Sequence, residues 1–324
     1  MVYVALQVLL CHVLSRGESR AYYILRFLFE IESRLAANQD ILMIFDDVAD
    51  SFDYKNKYAI IEYIKDLLER PNVNAVILTH NFDFYRTVAK RLFLKKSSFI
   101  ATKCSQGNIE IKQGKYFEDV FKSIFVKNYY VKKNFIGIIP FVRNLFEYLS
   151  KDDEYDFLTS CLHIKSTTLN ITVQDVHDSL IIAIPEKNNV VLEFADQKLI
   201  DLIFNEADSL KGELSEHSSD LEDKLLIAIA SRLKAELYMI SQLTENEKND
   251  LNQVSENQTQ YLYQKCKNKQ IDVNLLKILN RVNLMTPEHI HINSFMFEPL
   301  VDMSMNNLVT LYQDLCVLDS AVTN

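Results

Sequence analysis

The sequence predicts an N-terminal α/β domain followed by a mainly α-helical domain. Up to about residue 115, short apolar runs typical of buried strands alternate with amphipathic helical patterns, which indicates an α/β sheet. Beyond that point the helical pattern continues almost to the last residue. Glycine and proline number only five each among 324 residues, which favours long helices over turn-rich β architecture. We place the boundary near residue 130, so the predicted domains span residues 1–130 and 131–324.

The elements of the first domain follow from the spacing of apolar residues. A helical pattern that begins at Tyr54 is stopped by Pro71. The run from Leu42 to Phe45 is too continuous to alternate, so we expect a central parallel strand buried on both faces. In chain order we predict a short apolar helix or strand end over 1–13, a helix over 17–37, a strand over 42–45, a helix over 54–69, a strand over 73–78, a helix over 83–92, and a hairpin over 98–103 and 108–112.

The helical domain follows from the same periodicity and shows no internal repeat. No linker rich in proline, glycine or serine marks its start. Residues 244–260 are polar, so we expect a loop between two helices there. The predicted helices are 116–127, 138–150, 153–162, 173–183, 196–209, 217–243, 261–269, 272–281 and 304–318.

The net charge of −9 conceals an uneven distribution. Residues 86–133 hold twelve Lys and Arg residues against three acidic ones, a charge of +9, so the remainder carries −18. Overall acidity disfavours indiscriminate nucleic-acid binding, whereas the basic segment permits a localised site for RNA or DNA. An ordinary solvated face of lysines explains the same segment equally well, and both interpretations stay open.

The cysteines and the longest apolar run bear on the cellular compartment. The five cysteines are scattered without a Cys-x-x-Cys pair, which indicates reduced side chains of a cytosolic protein rather than a disulfide framework or a zinc site. The longest apolar run ends at His12, is too short to span a bilayer, and lacks the basic start of a signal peptide. We therefore expect a cytoplasmic protein with no membrane partner.

Acidic side chains and a histidine follow the two predicted strands. Asp46 and Asp47 come directly after the first strand, and His80 comes shortly after the second. Phosphoryl transfer needs one carboxylate for Mg2+ and a second acidic group that polarises the attacking water, and the two aspartates suit these roles. Upstream, the segment from Ser15 to Glu18 opens a predicted helix, whose free N–H groups attract phosphate. Taken singly, two aspartates can simply cap a strand, and a lone histidine is usually structural.

The order of these elements resembles that of ABC-type ATPases. Leu14-Ser15-Arg16-Gly17-Glu18 corresponds to the signature, the run ending at Asp46-Asp47 to Walker B, Asp53 to the D-loop, and His80 to the switch histidine. The phrases LSRGESRAYYILRFLFEIE, FDDVADSFDYKNKYAIIEYIKD and ILTHNFDFYRTV are similar to bacterial SMC-like ABC ATPases of the AAA_13 type. That group includes the PrrC/RloC-type anticodon nucleases of phage exclusion. The implied fold is the α/β half of an ABC-type P-loop ATPase domain followed by a mainly α-helical domain.

The resemblance implies a role for each residue of the motifs. Asp46 would bind Mg2+ and Asp47 would be the catalytic carboxylate, a position that carries Glu in most of these enzymes. His80 would contact the γ-phosphate of ATP, and Asp53 would meet a partner across a dimer interface. The signature residues Ser15, Gly17 and Glu18 would address ATP held by that partner.

A P-loop is the one expected motif that is missing. No Gly-x-x-x-x-Gly-Lys-[Ser/Thr] occurs in the chain, and in the family the P-loop lies far upstream of the signature. We therefore expect the chain to correspond to the C-terminal half of such a protein, to bind ATP and Mg2+ only with a P-loop-bearing half or subunit, and to form a homo- or heterodimer. Whether it is a truncated reading frame, an isolated piece or a true subunit stays open.

The resemblance also implies a nuclease in the helical domain. In the anticodon-nuclease group this domain is HEPN-like and carries an Arg-x-x-x-Glu pair and a later histidine for metal-independent RNA cleavage, with tRNA as substrate. Arg143 and Glu147 form such a pair on one helix face, and His163 follows. Arg143 would clamp the phosphate, His163 would act as acid or base, and Glu147 would carry a proton or orient Arg143. Arg-x-x-x-Glu is equally an ordinary salt bridge within a helix.

Three functions remain compatible with the sequence. The first is an ATP-gated ribonuclease in antiviral defence. The second is a fragment of an SMC-like DNA-repair ATPase with the helical part as a clamp. The third is a non-catalytic partner or regulatory subunit. The pair His289 and His291 could bind metal, but structural packing explains it more simply because no cluster of ligands with suitable spacing accompanies it.

Overall fold

The structure, a computed structural model, is mostly helical and contains two small sheets. The chain divides into two compact units, Met1–Leu94 and Lys95–Asn324, and each is described by itself. The residues that the structure describes are 15–48, 54–103, 108–115, 120–212, 220–251, 254, 257–269, 271–286 and 303–322.

The first unit alternates helices and strands, as the sequence predicts. Strands β1 and β2 pair in parallel, with Ile41 opposite Val73 and Asp46 opposite Leu78. The two strands therefore end at the same edge of the sheet. The elements in chain order are α1 (Arg16–Ala36), β1 (Ile41–Asp46), α2 (Tyr54–Leu68), β2 (Val73–Leu78) and α3 (Phe82–Arg91).

One face of this sheet forms the core of the first unit. Met43 and Phe45 of β1 are buried against Ile31 of α1 and against Ile64 and Leu67 of α2. Burial of each such side chain contributes about 1.5–3 kcal/mol through the hydrophobic effect. The packing of the two helices thereby stabilises the parallel pairing, which places the carboxyl ends of both strands together.

The opposite face of the sheet is open, which corrects the expectation of a strand buried on both faces. Leu42 and Ile44 of β1 are 65% and 64% exposed, and Val76 and Leu78 of β2 are exposed beside them. The burial of β1 alternates because α1 and α2 pack on the face of Met43 and Phe45 only. We call Leu42, Ile44, Val76 and Leu78 the open sheet face.

The second unit begins with a hairpin and continues as a helical bundle. Strands β3 and β4 are antiparallel, with Phe99 opposite Gln113 and Lys103 opposite Ile109. A π-helix, Phe121–Val126, precedes the bundle. The elements are β3 (Phe99–Lys103), β4 (Ile109–Gln113), α4 (Lys132–Tyr148), α5 (Asp152–Leu162), α6 (Val173–Ala183), α7 (Leu199–Gly212), α8 (Leu221–Ser241), α9 (Glu245–Leu251), α10 (Gln258–Lys267), α11 (Val273–Met285) and α12 (Met305–Val322).

Helix α8 is the centre of the second unit. Nearly all of its side chains are buried, including the charged Asp223, Arg232 and Glu236. A helix that is apolar on every side must be surrounded by others, and α4, α7, α10, α11 and α12 pack around it. Among the residues that the structure describes, neither α8 nor another helix has the length and apolarity needed to cross a membrane.

The predicted loop over 244–260 and the predicted domain boundary differ from the structure. The expected loop over 244–260 contains α9, because Thr244 and Glu247 form a capping box in which Thr244 N donates to Glu247 Oε2 at 2.9 Å. The compact units divide after Leu94 rather than near residue 130, because Phe125 packs on Phe141 of α4 with ring centroids 5.0 Å apart.

Candidate functional site

The carboxyl ends of β1 and β2 bring the predicted acidic residues and His80 to one edge. Asp46 is the last residue of β1 and pairs with Leu78. The N–H of Asp47 donates to the carbonyl of Leu78 at 3.0 Å, which extends the ladder by one residue. In sheets of parallel strands, ligands bind in the crevice beyond these carboxyl ends. We call Asp46, Asp47 and His80 the strand-end site.

Asp47 and His80 form a close pair within this site. Asp47 Oδ1 accepts a hydrogen bond from the backbone N–H of His80 at 3.0 Å and lies 2.8 Å from His80 Nδ1. The backbone N–H and then the imidazole of His80 lower the pKa of Asp47, so the carboxylate is ionised at neutral pH. Both side chains are substantially exposed, at 41% for Asp47 and 70% for His80, and a ligand can reach them.

The backbone at Asp47 and after β2 fixes the position of this pair. Asp47 has φ 46°, in the left-handed region that aspartate tolerates better than most residues. Thr79 Oγ1 accepts from the N–H of Asn81 at 3.1 Å, and Asn81 Oδ1 caps α3 by accepting from the N–H of Phe84 at 2.9 Å. His80 is thus held between the end of β2 and the capped start of α3.

The strand-end site suits a cation whose remaining ligands are substrate phosphates and water. Among the described residues, no group of three or more His, Cys, Asp and Glu is placed to hold a metal ion. Mg2+ commonly binds one or two protein carboxylates and completes its shell with substrate phosphates and water. Asp46, which ends β1, is the carboxylate predicted to hold such an ion, while Asp47 beside it is bound to His80.

The upstream motif begins a helix, as predicted. Ser15 directly precedes α1, which starts at Arg16, and its side chain is exposed. Gly17 and Glu18 lie in the first turn of α1, and the side chain of Glu18 is outside the described part of the chain. Asp53 also lies outside the described residues, so its predicted place at an interface stays a prediction.

Arg143 of the predicted nuclease site is buried and bound to the neighbouring helix α5. Its Nε donates to Thr159 Oγ1 at 2.7 Å, and its guanidinium lies over the ring of Tyr155, 4.3 Å from the centroid. Its Nη1 also donates to Asn144 Oδ1 at 3.2 Å. Glu147, one helical turn away, is exposed. The hydrogen bonds of Arg143 thus join α4 to α5.

His163 is also buried, at the end of α5, and its partner is Glu236 of α8. The distance from His163 Nδ1 to Glu236 Oε1 is 2.7 Å. Since an ionised carboxylate can only accept, Nδ1 carries the proton. Glu236 also accepts from the N–H of Ile164 at 2.8 Å, from Gln258 Nε2 at 2.8 Å and from Thr259 Oγ1 at 2.7 Å. We call these five residues the Glu236 network.

The Glu236 network keeps its carboxylate charged inside the protein. Burial alone would raise the pKa of Glu236, but the charge and hydrogen bond of His163, with the bonds from Thr259 and Ile164, outweigh burial and lower that pKa. Glu236 was not among the residues predicted from the sequence. The sequence shows only a glutamate within the apolar pattern of a long helix, and this pattern does not identify its partners.

The three predicted nuclease residues therefore have different surroundings. The described bonds of Arg143 run to α5, those of His163 run to α8, and Glu147 faces solvent. The assignment of these residues to one catalytic cleft stays a prediction. The other histidines considered as metal ligands, His289 and His291, lie outside the described residues.

Comparisons of the chain with protein-family models, with curated proteins and with solved structures find no match.

Proposed function

We propose that the chain is the C-terminal half of an ABC-type ATPase of the AAA_13 type, which completes its nucleotide site with a P-loop-bearing half or subunit. The observation that carries this proposal is the strand-end site. A carboxylate that ends one parallel strand, a second carboxylate after it and a histidine after the neighbouring strand lie at a single edge. The order of the motifs along the sequence supports the same assignment.

Each residue of the strand-end site would have a distinct task. Asp46 would hold Mg2+, which would neutralise the charge of the ATP phosphates. Asp47 would accept a hydrogen bond from the attacking water and orient it, and its ionised state at neutral pH suits that task. His80, positioned by Asp47, would contact the γ-phosphate. Ser15, before the N-terminus of α1, would approach ATP held by the partner.

The open sheet face supports the existence of a P-loop-bearing partner. Parallel sheets are normally covered on both faces because their crossover helices pack there. Leu42, Ile44, Val76 and Leu78 instead expose a continuous apolar surface. A P-loop-bearing lobe would cover this face with its helices, extend the sheet with its own parallel strands, and place phosphates at the strand-end site.

We also propose that nucleotide-driven dimerisation controls the helical unit in the cytoplasm. If that unit is an anticodon-nuclease-like ribonuclease of antiviral defence, RNA must reach Arg143 and His163, both of which are buried. Cleavage would then require helix α5 to move. A clamp of the DNA-repair kind or a regulatory role would leave α5 in place, so RNA cleavage by the purified chain distinguishes these functions.

Co-expression tests the proposed partnership. We expect the chain to co-purify with the P-loop-bearing segment encoded upstream of it and to bind Mg2+-ATP only in that complex. Ile44→Asp should abolish co-purification, because a charge would enter the apolar contact. Val191→Asp, at an exposed apolar site in the second unit, should have no effect. The absence of such a segment, or a complex that is indifferent to Ile44→Asp, would contradict the proposal.

A further inference from the structure

The hairpin of the second unit presents an apolar face to solvent. Phe99 on β3 and Ile109 and Ile111 on β4 are each more than half exposed. Ala101 pairs with Ile111 and is exposed between them. Because side chains alternate along a strand, these four residues point to the same side of the hairpin. We call them the hairpin face.

Basic residues lie beside the hairpin face. Residues 95–115 contain five lysines and one acidic residue, Glu110. Lys95 and Lys96 are exposed just before β3, whereas Lys112 lies on the opposite side of the hairpin, 3.2 Å from Glu110. Contiguous apolar surface with a polar rim marks interaction sites, and a two-stranded hairpin alone is only marginally stable. The hairpin face therefore has the composition of a binding surface for an acidic and apolar partner.

The second unit also carries an exposed surface that is both acidic and apolar. At the turn between α4 and α5, Tyr148 and Leu149 are more than half exposed. Asp152, Asp153 and Asp156 follow on α5 and are exposed as well. We call these five residues the acidic turn. It offers two apolar side chains beside three carboxylates, which complements the hairpin face in both polarity and charge.

We propose that the hairpin face binds the acidic turn of a second copy of this chain. The contact buries Phe99, Ile109 and Ile111 against Tyr148 and Leu149. The lysines just before β3, Lys95 and Lys96, meet the aspartates of α5. The contact requires no nucleotide and involves no residue of the strand-end site, so it stands apart from the proposed ATPase. In a two-fold dimer the contact occurs twice, because the hairpin of each copy meets the turn of the other.

Charge and polarity favour the acidic turn over a second hairpin face or a nucleic acid as the partner of the hairpin face. Two hairpin faces packed against each other would bring their lysines together, and like charges at close range repel. A nucleic acid would attract the lysines but would leave Ile109 and Ile111 without apolar contacts, since it binds through phosphates and base stacking. The acidic turn satisfies the lysines and the apolar side chains together.

Sedimentation equilibrium of the purified chain tests this contact. We expect self-association that weakens between about 0.1 M and about 1 M salt, as the Debye length falls from about 10 Å to about 3 Å. Ile111→Ser should raise the dimer Kd about tenfold or more, which corresponds to about 1.4 kcal/mol. Val191→Ser, at an exposed apolar site that belongs to neither surface, should leave the Kd unchanged.

A charge exchange provides the decisive comparison. Lys96→Glu and Asp153→Lys should each weaken association, because each creates a like-charged pair across the contact. The chain that carries both substitutions should recover most of the affinity, since the pair is restored with its signs reversed. Lys96 and Asp153 both lie in segments that the structure describes, and circular dichroism verifies that the variants fold.

Several outcomes would overturn the proposal. The first is a chain that stays monomeric under all conditions, and the second is association that Ile111→Ser does not change. The third is a doubly substituted chain whose loss of dimer affinity equals the sum of the two single losses. Binding of a labelled single-stranded RNA that Ile111→Ser and Lys96→Glu both abolish, without self-association, would assign the hairpin face to nucleic acid instead.

Discussion

Replacement of Glu236 by alanine should destabilise the helical unit more than any exposed substitution. The carboxylate is fully buried and accepts from four groups, two on the residues that directly follow α5 and two at the start of α10. Without it, the donors of His163, Ile164, Gln258 and Thr259 lose a common acceptor. Removal of one member of a buried ion pair typically costs about 3–5 kcal/mol. We expect a loss of about 4 kcal/mol, out of a total stability of about 5–15 kcal/mol for a typical domain.

Glu236→Gln tests the contribution of the carboxylate charge separately from that of the side-chain shape. The amide keeps one acceptor oxygen and the volume of the side chain, but it places an NH2 group against donors. We therefore expect an intermediate loss of about 2 kcal/mol, since an unsatisfied buried group costs about 1–3 kcal/mol. Glu193→Ala, at an exposed position between α6 and α7, serves as the control and should change stability by less than about 0.5 kcal/mol.

Urea unfolding followed by circular dichroism measures these differences. Because the network lowers the pKa of Glu236 below its ordinary value of 4.5, its contribution is complete above that pH and is lost as the pH falls through the folded pKa. The gap between the native chain and Glu236→Gln should therefore be constant near neutrality and shrink in acid. A Glu236→Ala chain within about 1 kcal/mol of the native one would refute the account of the network.

Three further predictions concern activity and the strand-end site. The purified chain alone should hydrolyse ATP negligibly, because the phosphate cradle of a P-loop is missing from its sequence; robust turnover abolished by Asp47→Ala would contradict this. With a P-loop-bearing half, Ser15→Arg should block ATP-driven dimerisation in light scattering by crowding the phosphate, whereas unchanged dimerisation would remove Ser15 from the site. If the helical unit is a ribonuclease, tRNA cleavage should persist in a chelator and vanish in a folded His163→Ala chain; cleavage that the chelator stops, or that survives His163→Ala, would exclude that site.

The sequence predicted the local elements of the first unit well because they depend on local patterns. The apolar runs at 42–45 and 73–78 are strands, and the helix before Pro71 ends at Leu68. The position of His80 beside Asp47 follows from the pairing of two adjacent strands, which the order of the motifs anticipated. Here local patterning and tertiary structure agree.

Features that depend on distant contacts could not be predicted. His163 and Glu236 are 73 residues apart, and nothing in either neighbourhood identifies the other. The exposure of the open sheet face was not predicted, because its apolar residues have the composition of a strand that is buried on both faces. The early start of α4 at Lys132 was missed because Gly137 discourages a helix in the sequence. In the structure Gly137 lies against the Phe125 ring, where a larger side chain would clash.

The most direct test of the account is single-turnover hydrolysis of Mg2+-ATP by the chain in complex with its P-loop-bearing half. We expect Asp47→Asn and His80→Ala to retain nucleotide binding and to lose at least about 100-fold in rate, in the range of a lost general-base contribution. Asp83→Asn, an exposed substitution on α3, should hydrolyse at the native rate. Native rates in both Asp47→Asn and His80→Ala would contradict the assignment of the strand-end site to ATP hydrolysis.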